Sequence, residues 1–457
     1  MLNISSIEVG IGIEVYASKT RGLGGIIKRS IEDFIVEEIL LDGSKASVLP
    51  EENRAVLDEH GRYLICILIK RGWDTLLAIE KIAKALGISL DRIGFAGIKD
   101  AEALTAQYIS IGGMPIERLS GIRLENIYVK PIGFSNENIS SKKLFGNKFR
   151  IAVNSIRLKE STVLSRIRRI NYELADFGGV PNFFGHQRFG TVRPITHIVG
   201  RHIVKGDFKS AVLTFLTFES PFENPRIRML RREINETMDF GRILKKFPGI
   251  FTYERLMLAH LSRSPNDFLG ALNKLPLNLR KLLVQAYQSF LFNKILSERI
   301  KRGITLKEAH VGDYVLELNG LGLPMKNFIK VELSNISLIN EEIKDGKMVI
   351  AIPLIGLKQH LSGGLQGEIE REILEREGIK QENFRNAHMI KVDILGGLRA
   401  ALARIMDFRF EVSEDKIEPL KSSVKFRFTL HKGGYATILL REFMKPSTDR
   451  QLIKSGF

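Results

Sequence analysis

Cysteine is almost missing from this chain: Cys66 is the single one among 457 residues. No internal disulfide can form and no cysteine-based zinc site can be built. That excludes the zinc-dependent nucleobase deaminases, which need a Pro-Cys-x-x-Cys ligand pair, and it removes the cysteine ligands of tRNA-guanine transglycosylases. Long apolar runs are lacking as well. The stretch from Met348 to Leu357 is interrupted by Pro353 and falls far short of the roughly 18 residues that span a bilayer. Met1 to Glu8 carries no basic leader region, so a cytoplasmic location with no membrane partner is expected. Phosphate-cradling loops are missing too. Gly22-Leu23-Gly24-Gly25 and Gly363-Gly364-Leu365-Gln366-Gly367 fit neither the dinucleotide fingerprint nor a Gly-Lys-Ser/Thr loop, and both are expected to be turns. His186, His197 and His202 stand at no metal-ligand spacing, so no metal and no cofactor are expected.

Acidic residues are in deficit, with 52 Asp and Glu against 69 Lys and Arg, for a formal charge of +17. A polyanion such as nucleic acid is the natural partner of that balance. Hydrophobic residues at 44% and charged residues at 26% are otherwise those of a folded globular protein. The length points to two or three domains of about 100–200 residues each.

Along the chain, the first third alternates short β runs, Phe34 to Val36 and Tyr63 to Ile69, with amphipathic helices. Leu76, Ile79, Ile82, Ala83 and Leu86 lie at helical spacing ahead of Gly87, and Val163, Ile167, Ile170 and Leu174 do so ahead of Gly178-Gly179. Beyond Pro181 the pattern turns to long helices with a basic cluster: Arg226, Arg228, Arg231, Arg232, Arg242, Lys245 and Lys246. Strand-like alternation returns in Lys425 to Leu430 and in Tyr435 to Leu440, and the last of these is expected to rejoin the first domain's sheet.

The richest segment is Gly94-Phe95-Ala96-Gly97-Ile98-Lys99-Asp100, followed by Ala103, Thr105 and Gln107. A short strand delivers Lys-Asp into a loop, where a carboxylate can be held beside a ligand. Alone, such a pair is ordinarily a solvated turn. Five further strings occur in order: Lys28 with Glu32-Asp33-Phe34; Gly146-Asn147-Lys148-Phe149; Val180-Pro181-Asn182-Phe183-Phe184-Gly185-His186-Gln187-Arg188-Phe189-Gly190; Ala286 to Asn293; and Gly434-Tyr435-Ala436-Thr437 with Arg441-Glu442. Together these six motifs resemble the TruD family of tRNA pseudouridine synthases over nearly the whole chain. Phe183 stands where the family often has Tyr, and Ile31 where Pro is frequent.

The resemblance implies an α+β fold and a V-shaped molecule. A pseudouridine synthase catalytic domain would occupy 1–180 and 387–457, with an α/β TRUD domain inserted at 181–386 and tRNA in a basic cleft between them. It implies an enzyme that isomerises uridine, usually uridine 13 of tRNA, with Asp100 as the catalytic aspartate; the sequence does not fix the oligomeric state, and a monomer is the expectation. The carboxylate is suited to attack the sugar or the base as a nucleophile, or to remove a sugar proton as a base. Lys28 would pair with Asp100 or offset charge on the departing uracil. Asn147 would order the loop or bind substrate, and Phe149 would wall a flipped uracil. Lys99, Gln187 and Arg188 are candidates for RNA contact, the last two also for a hinge. A catalytically silent RNA-binding or chaperone protein of the same fold is the alternative, and it predicts a disrupted Lys-Asp motif. A methyltransferase would need an S-adenosylmethionine pocket that no Gly-rich segment supplies.

Overall fold

The computed structural model describes residues 3–53, 60–119 and 121–457. Its larger sheet is built from strands β1 (Phe34–Leu40), β2 (Tyr63–Arg71), β3 (Ile93–Phe95), β4 (Leu104–Gly112), β5 (Ile127–Ser135) and β6 (Leu144–Ile156). These are joined from the far end of the chain by two more strands, Ile405–Glu414 and Ser422–His431. In chain order those two are β13 and β14, and the sheet runs β13-β14-β6-β1-β4-β2-β5, with β3 paired to β4. β1 lies parallel to β4, and the other pairings in this sheet are antiparallel.

β2 reads as an unbroken apolar run because both of its faces are covered. On one face, helix Thr75–Leu86 packs over Leu64, Cys66 and Leu68. On the other, Ile65, Ile67 and Ile69 meet Val48, Tyr108 and Ile132. The helix stripe is close to the one expected, except that Leu76 is exposed and Thr75 is buried. Helix Glu160–Phe177 buries Val163, Ile167, Ile170 and Leu174, and ends where Gly178 adopts a left-handed φ of 95°.

The remaining strands are β7 (Val180–Pro181), β8 (Tyr314–Leu318), β9 (Pro324–Lys330), β10 (Met348–Leu354), β11 (Gly397–Ala400) and β12 (Leu402–Ala403). A smaller sheet runs β11-β10-β8-β9, while β7 pairs with β12. The chain therefore leaves and rejoins the larger sheet side by side through the β7–β12 ladder, and it stays in the smaller sheet until Ala400. Residue 386, the expected end of the insertion, falls inside the helical turn Gln381–Ile390.

Two expectations fail. Tyr435 to Leu440 is no strand: Ala436–Met444 is a helix with all nine residues buried. Between Tyr435 and Leu440 only Thr437 is strongly polar, so the pattern of that stretch cannot separate period 2 from period 3.6. The strand that rejoins the first sheet is β14, which pairs with β6. Gly363 to Gly367 is likewise no simple turn, since helix Gly364–Glu377 starts within it.

Candidate active site

Residues paired across neighbouring strands share a face of the sheet. Lys70 stands opposite Thr105, Thr105 beside Val36, Val36 opposite Phe149, and Phe149 opposite Phe428. Glu38, Gln107 and Asn147 lie two residues along on the same face. Helix Thr75–Leu86 covers one end of this face, and helices Glu160–Phe177 and Ala436–Met444 cover the other. Between them the face is left to the loop 96–103 and the turn carrying Lys28.

That loop is pinned at successive residues. Gln107 donates to the Gly97 carbonyl at 3.0 Å, and the Lys99 N–H donates to Thr75 Oγ1 at 3.0 Å. The Lys99 ammonium reaches Glu38 at 2.5 Å, and the Asp100 carbonyl accepts from Lys70 Nζ at 2.8 Å. With its backbone held, the Asp100 carboxylate stays 30% exposed, 3.5 Å from Lys28 Nζ. Lys28 is largely buried, sits 4.7 Å above the Phe34 ring, and has a left-handed φ of 56°. A non-glycine residue held there marks a turn fixed by its surroundings. Ile27 N–H donates to the Ser455 carbonyl, and Arg29 makes two 3.0 Å bonds to Asp415.

The structure brings Asp100 and Lys28 together and places Asn147 and Phe149 on the same sheet face. Among the described residues, the buried Asn147 Oδ1 has no hydrogen-bond partner. Phe149 offers no open wall. It is 5% exposed, stacked on Phe428 at 5.3 Å and edge-on to Phe34 at 6.4 Å, because the β14–β6–β1 register sets these rings side by side. Lys99 is buried against Glu38, so its ammonium is unavailable to an RNA backbone. Glu102 is exposed. Lys70, Thr75 and Glu38 are contributors that motif reading missed. The available signal was a lysine closing an otherwise apolar strand.

The family model for tRNA pseudouridine synthase D (TruD) matches residues 10–443. The chain is 39% identical over 446 residues to the "Probable tRNA pseudouridine synthase D" of Methanococcoides burtonii, covering 97% of this chain and 98% of that one. It is 36% identical over 436 residues to the protein of that name from Thermococcus sibiricus, covering 94% and 97%. A crystal structure of the Methanosarcina mazei TruD protein is similar at a TM-score of 0.81 and 37% identity, covering 98% of this chain and 99% of that one. The chain belongs to the TruD family.

The TruD signature strings divide by position. Those around Lys28, Asp100 and Asn147 lie at the candidate site, whereas the others fasten the molecule together. Asn293 holds the Phe184 N–H and carbonyl and donates to the Ile11 carbonyl, tying helix Leu277–Lys301 to the segment after β7. Arg188 donates to Ser289 and Gln285 of that helix, and Gln187 is exposed and accepts from Thr437. Arg399 grips Asn182 and lies 4.1 Å from the Phe184 ring. Arg441 pairs with Glu8, and Glu442 accepts from Ala17 and Ser18, so this string anchors the N-terminal arm.

A cavity of about 680 Å³ opens between the β14 end of the larger sheet and the smaller sheet, lined by Asn182, Lys344, Arg404, His431 and Lys432 among others. Burial holds the His431 imidazole below its usual pKa. Among the described residues, Lys344, Arg404 and Lys432 have no carboxylate partner. Four of the seven residues in the basic cluster of the sequence differ. Arg231 is buried against Glu223 and Glu254, Arg232 pairs with Glu219, and Arg242 and Lys246 share Glu233.

Proposed function

We propose that this chain isomerises a uridine of tRNA to pseudouridine, that the target is uridine 13, and that Asp100 is the reacting carboxylate. The reaction breaks the N-glycosidic bond, turns the uracil and joins its C5 to the same sugar carbon. Its atoms balance, so it needs no redox partner. The observation that carries the reading is the Asp100 carboxylate itself, partly open to solvent on a loop pinned to the sheet and paired with the nearly buried Lys28. A fixed backbone with an accessible carboxylate suits attack or proton removal at a positioned substrate. The intact Lys99-Asp100 motif speaks against a silent RNA-binding relative.

In this reading Asn147 contacts the substrate or the catalytic loop, and Phe149 supports the site from beneath. The tRNA backbone runs past the cavity between the two sheets, where Lys344, Arg404 and Lys432 carry unpaired charge. The test is single-turnover conversion of unmodified tRNA by wild type and Asp100→Asn, with the product site mapped. Asp100→Asn is expected to bind tRNA and form no pseudouridine. More than a few per cent of the wild-type rate, with deamidation excluded, would overturn the role of Asp100. A product at another uridine would overturn the target.

A further inference from the structure

Lys70 is fully buried at the end of β2, on the face that carries the site. An ammonium taken out of water is costly unless its protons are taken up, and an apolar residue would fit this strand. Among the described residues no carboxylate lies within ion-pair range of it. Its Nζ instead donates to two carbonyls, those of Trp73 at 2.6 Å and Asp100 at 2.8 Å. Burial pushes its pKa down to about 8 against the pull of the Asp100 and Asp74 charges. One buried cation thus ties β2, the turn entering helix Thr75–Leu86 and the peptide of the candidate catalytic residue into one unit. Thr75, first in that helix, holds the neighbouring Lys99 N–H.

We propose that Lys70 is a positioning residue for the isomerisation: its ammonium fixes the Asp100 peptide from within the sheet, while Lys28 meets the carboxylate from the other side. The proposal rests on Asp100 being the reacting group. A carboxylate displaced by about 1 Å from its reacting partner loses about a hundredfold in rate. Substrate contacts remote from the loop are untouched by such a shift. The role is therefore read in the chemical step rather than in tRNA affinity.

The experiment compares wild type, Lys70→Met, Lys70→Ala and Asp100→Asn by melting, tRNA binding and single-turnover rate at saturating enzyme. Lys70→Met is expected to fold with an unchanged or higher Tm, to bind tRNA within about threefold of wild type, and to react about a hundredfold more slowly. Ethylammonium added to Lys70→Ala is expected to restore part of the rate, with propanol as the uncharged control. A loss in Lys70→Met smaller than tenfold overturns the proposal. So does a loss that tracks Tm and affinity, or failure of both variants to fold, because each assigns the ammonium to the fold alone. An active Asp100→Asn would instead overturn the reading beneath it, whatever Lys70 does.

Discussion

At the residue scale, Asp415 holds the turn that carries Lys28 by binding its neighbour Arg29. Burial raises its carboxyl pKa, but Arg29 and the N–H groups of Ile417, Ser155 and Glu418 outweigh this and hold it well below its ordinary value. A carboxyl depressed in the folded state adds stability above its unfolded pKa and loses it as pH falls through the folded value. Asp415→Asn is therefore expected to lower Tm at neutral pH, with the gap to wild type closing below about pH 4; melts from pH 7 to pH 2 check it. Because Arg29 adjoins Lys28, the variant also loosens the turn that meets Asp100. Phe149 makes a second case. Phe149→Leu loses the stack on Phe428, a contact of about 1 kcal/mol, whereas Phe149→Tyr buries a hydroxyl without a partner at about 1–3 kcal/mol. Melts are expected to rank Tyr below Leu. A Tyr variant as stable as wild type would mean that the ring's para position opens onto the site.

Among the elements, helix Ala436–Met444 fastens the N-terminal arm to the chain. Arg441 within it is fully buried, bonded to Glu8 and to the Val15 carbonyl, and 3.8 Å from the Tyr16 ring. Removing Glu8 leaves this buried guanidinium with Glu442 alone, 3.5 Å away and already accepting from Ala17 and Ser18, so its charge is only partly compensated. Glu8→Ala is expected to cost about 3 kcal/mol, the lower end for breaking a buried pair because Glu442 remains, read by denaturant unfolding. It should also expose the segment after Ile11 to protease. A loss below about 1 kcal/mol would assign the pair no more weight than a surface ion pair has. This helix also shows the limit of pattern reading, since its polar residues, Thr437, Arg441 and Glu442, are buried with the rest and mark no wet face that would reveal its period.

Across the whole molecule, the +17 charge is not spread evenly over partners. Arg231, Arg232, Arg242 and Lys246 are neutralised within the helical part, while Lys344, Arg404 and Lys432 face the cavity between the sheets without carboxylates. tRNA affinity is expected to fall steeply with salt through counterion release. Arg404→Glu is expected to weaken binding and reduce the log–log salt slope by about 1 or more. Arg232→Glu is expected to change the slope little. Filter binding across a salt series separates them, and equal effects would place the RNA path over the helical part instead.

The strings around Lys28, Asp100 and Asn147 stand out in the sequence as short runs of fixed residue type, and the fold sets Asp100 beside Lys28 and Asn147 on the sheet face next to them. Helices Thr75–Leu86 and Glu160–Phe177 were legible because each has a wet face and a dry face, and a glycine in the left-handed region ends each. Tertiary structure alone decided which charges are spent inside. Lys99 and Arg231 look like RNA contacts in the sequence, yet each meets a carboxylate brought from a distant or separate segment: Glu38, 61 residues away, and Glu254, 23 away. Lys70 is the reverse case, a lysine that reads as a strand end until the fold sets the Asp100 carbonyl against it. A carbonyl or carboxylate partner leaves no mark on the local pattern, because the distance that pairs it is set by the sheet register and not by the chain between.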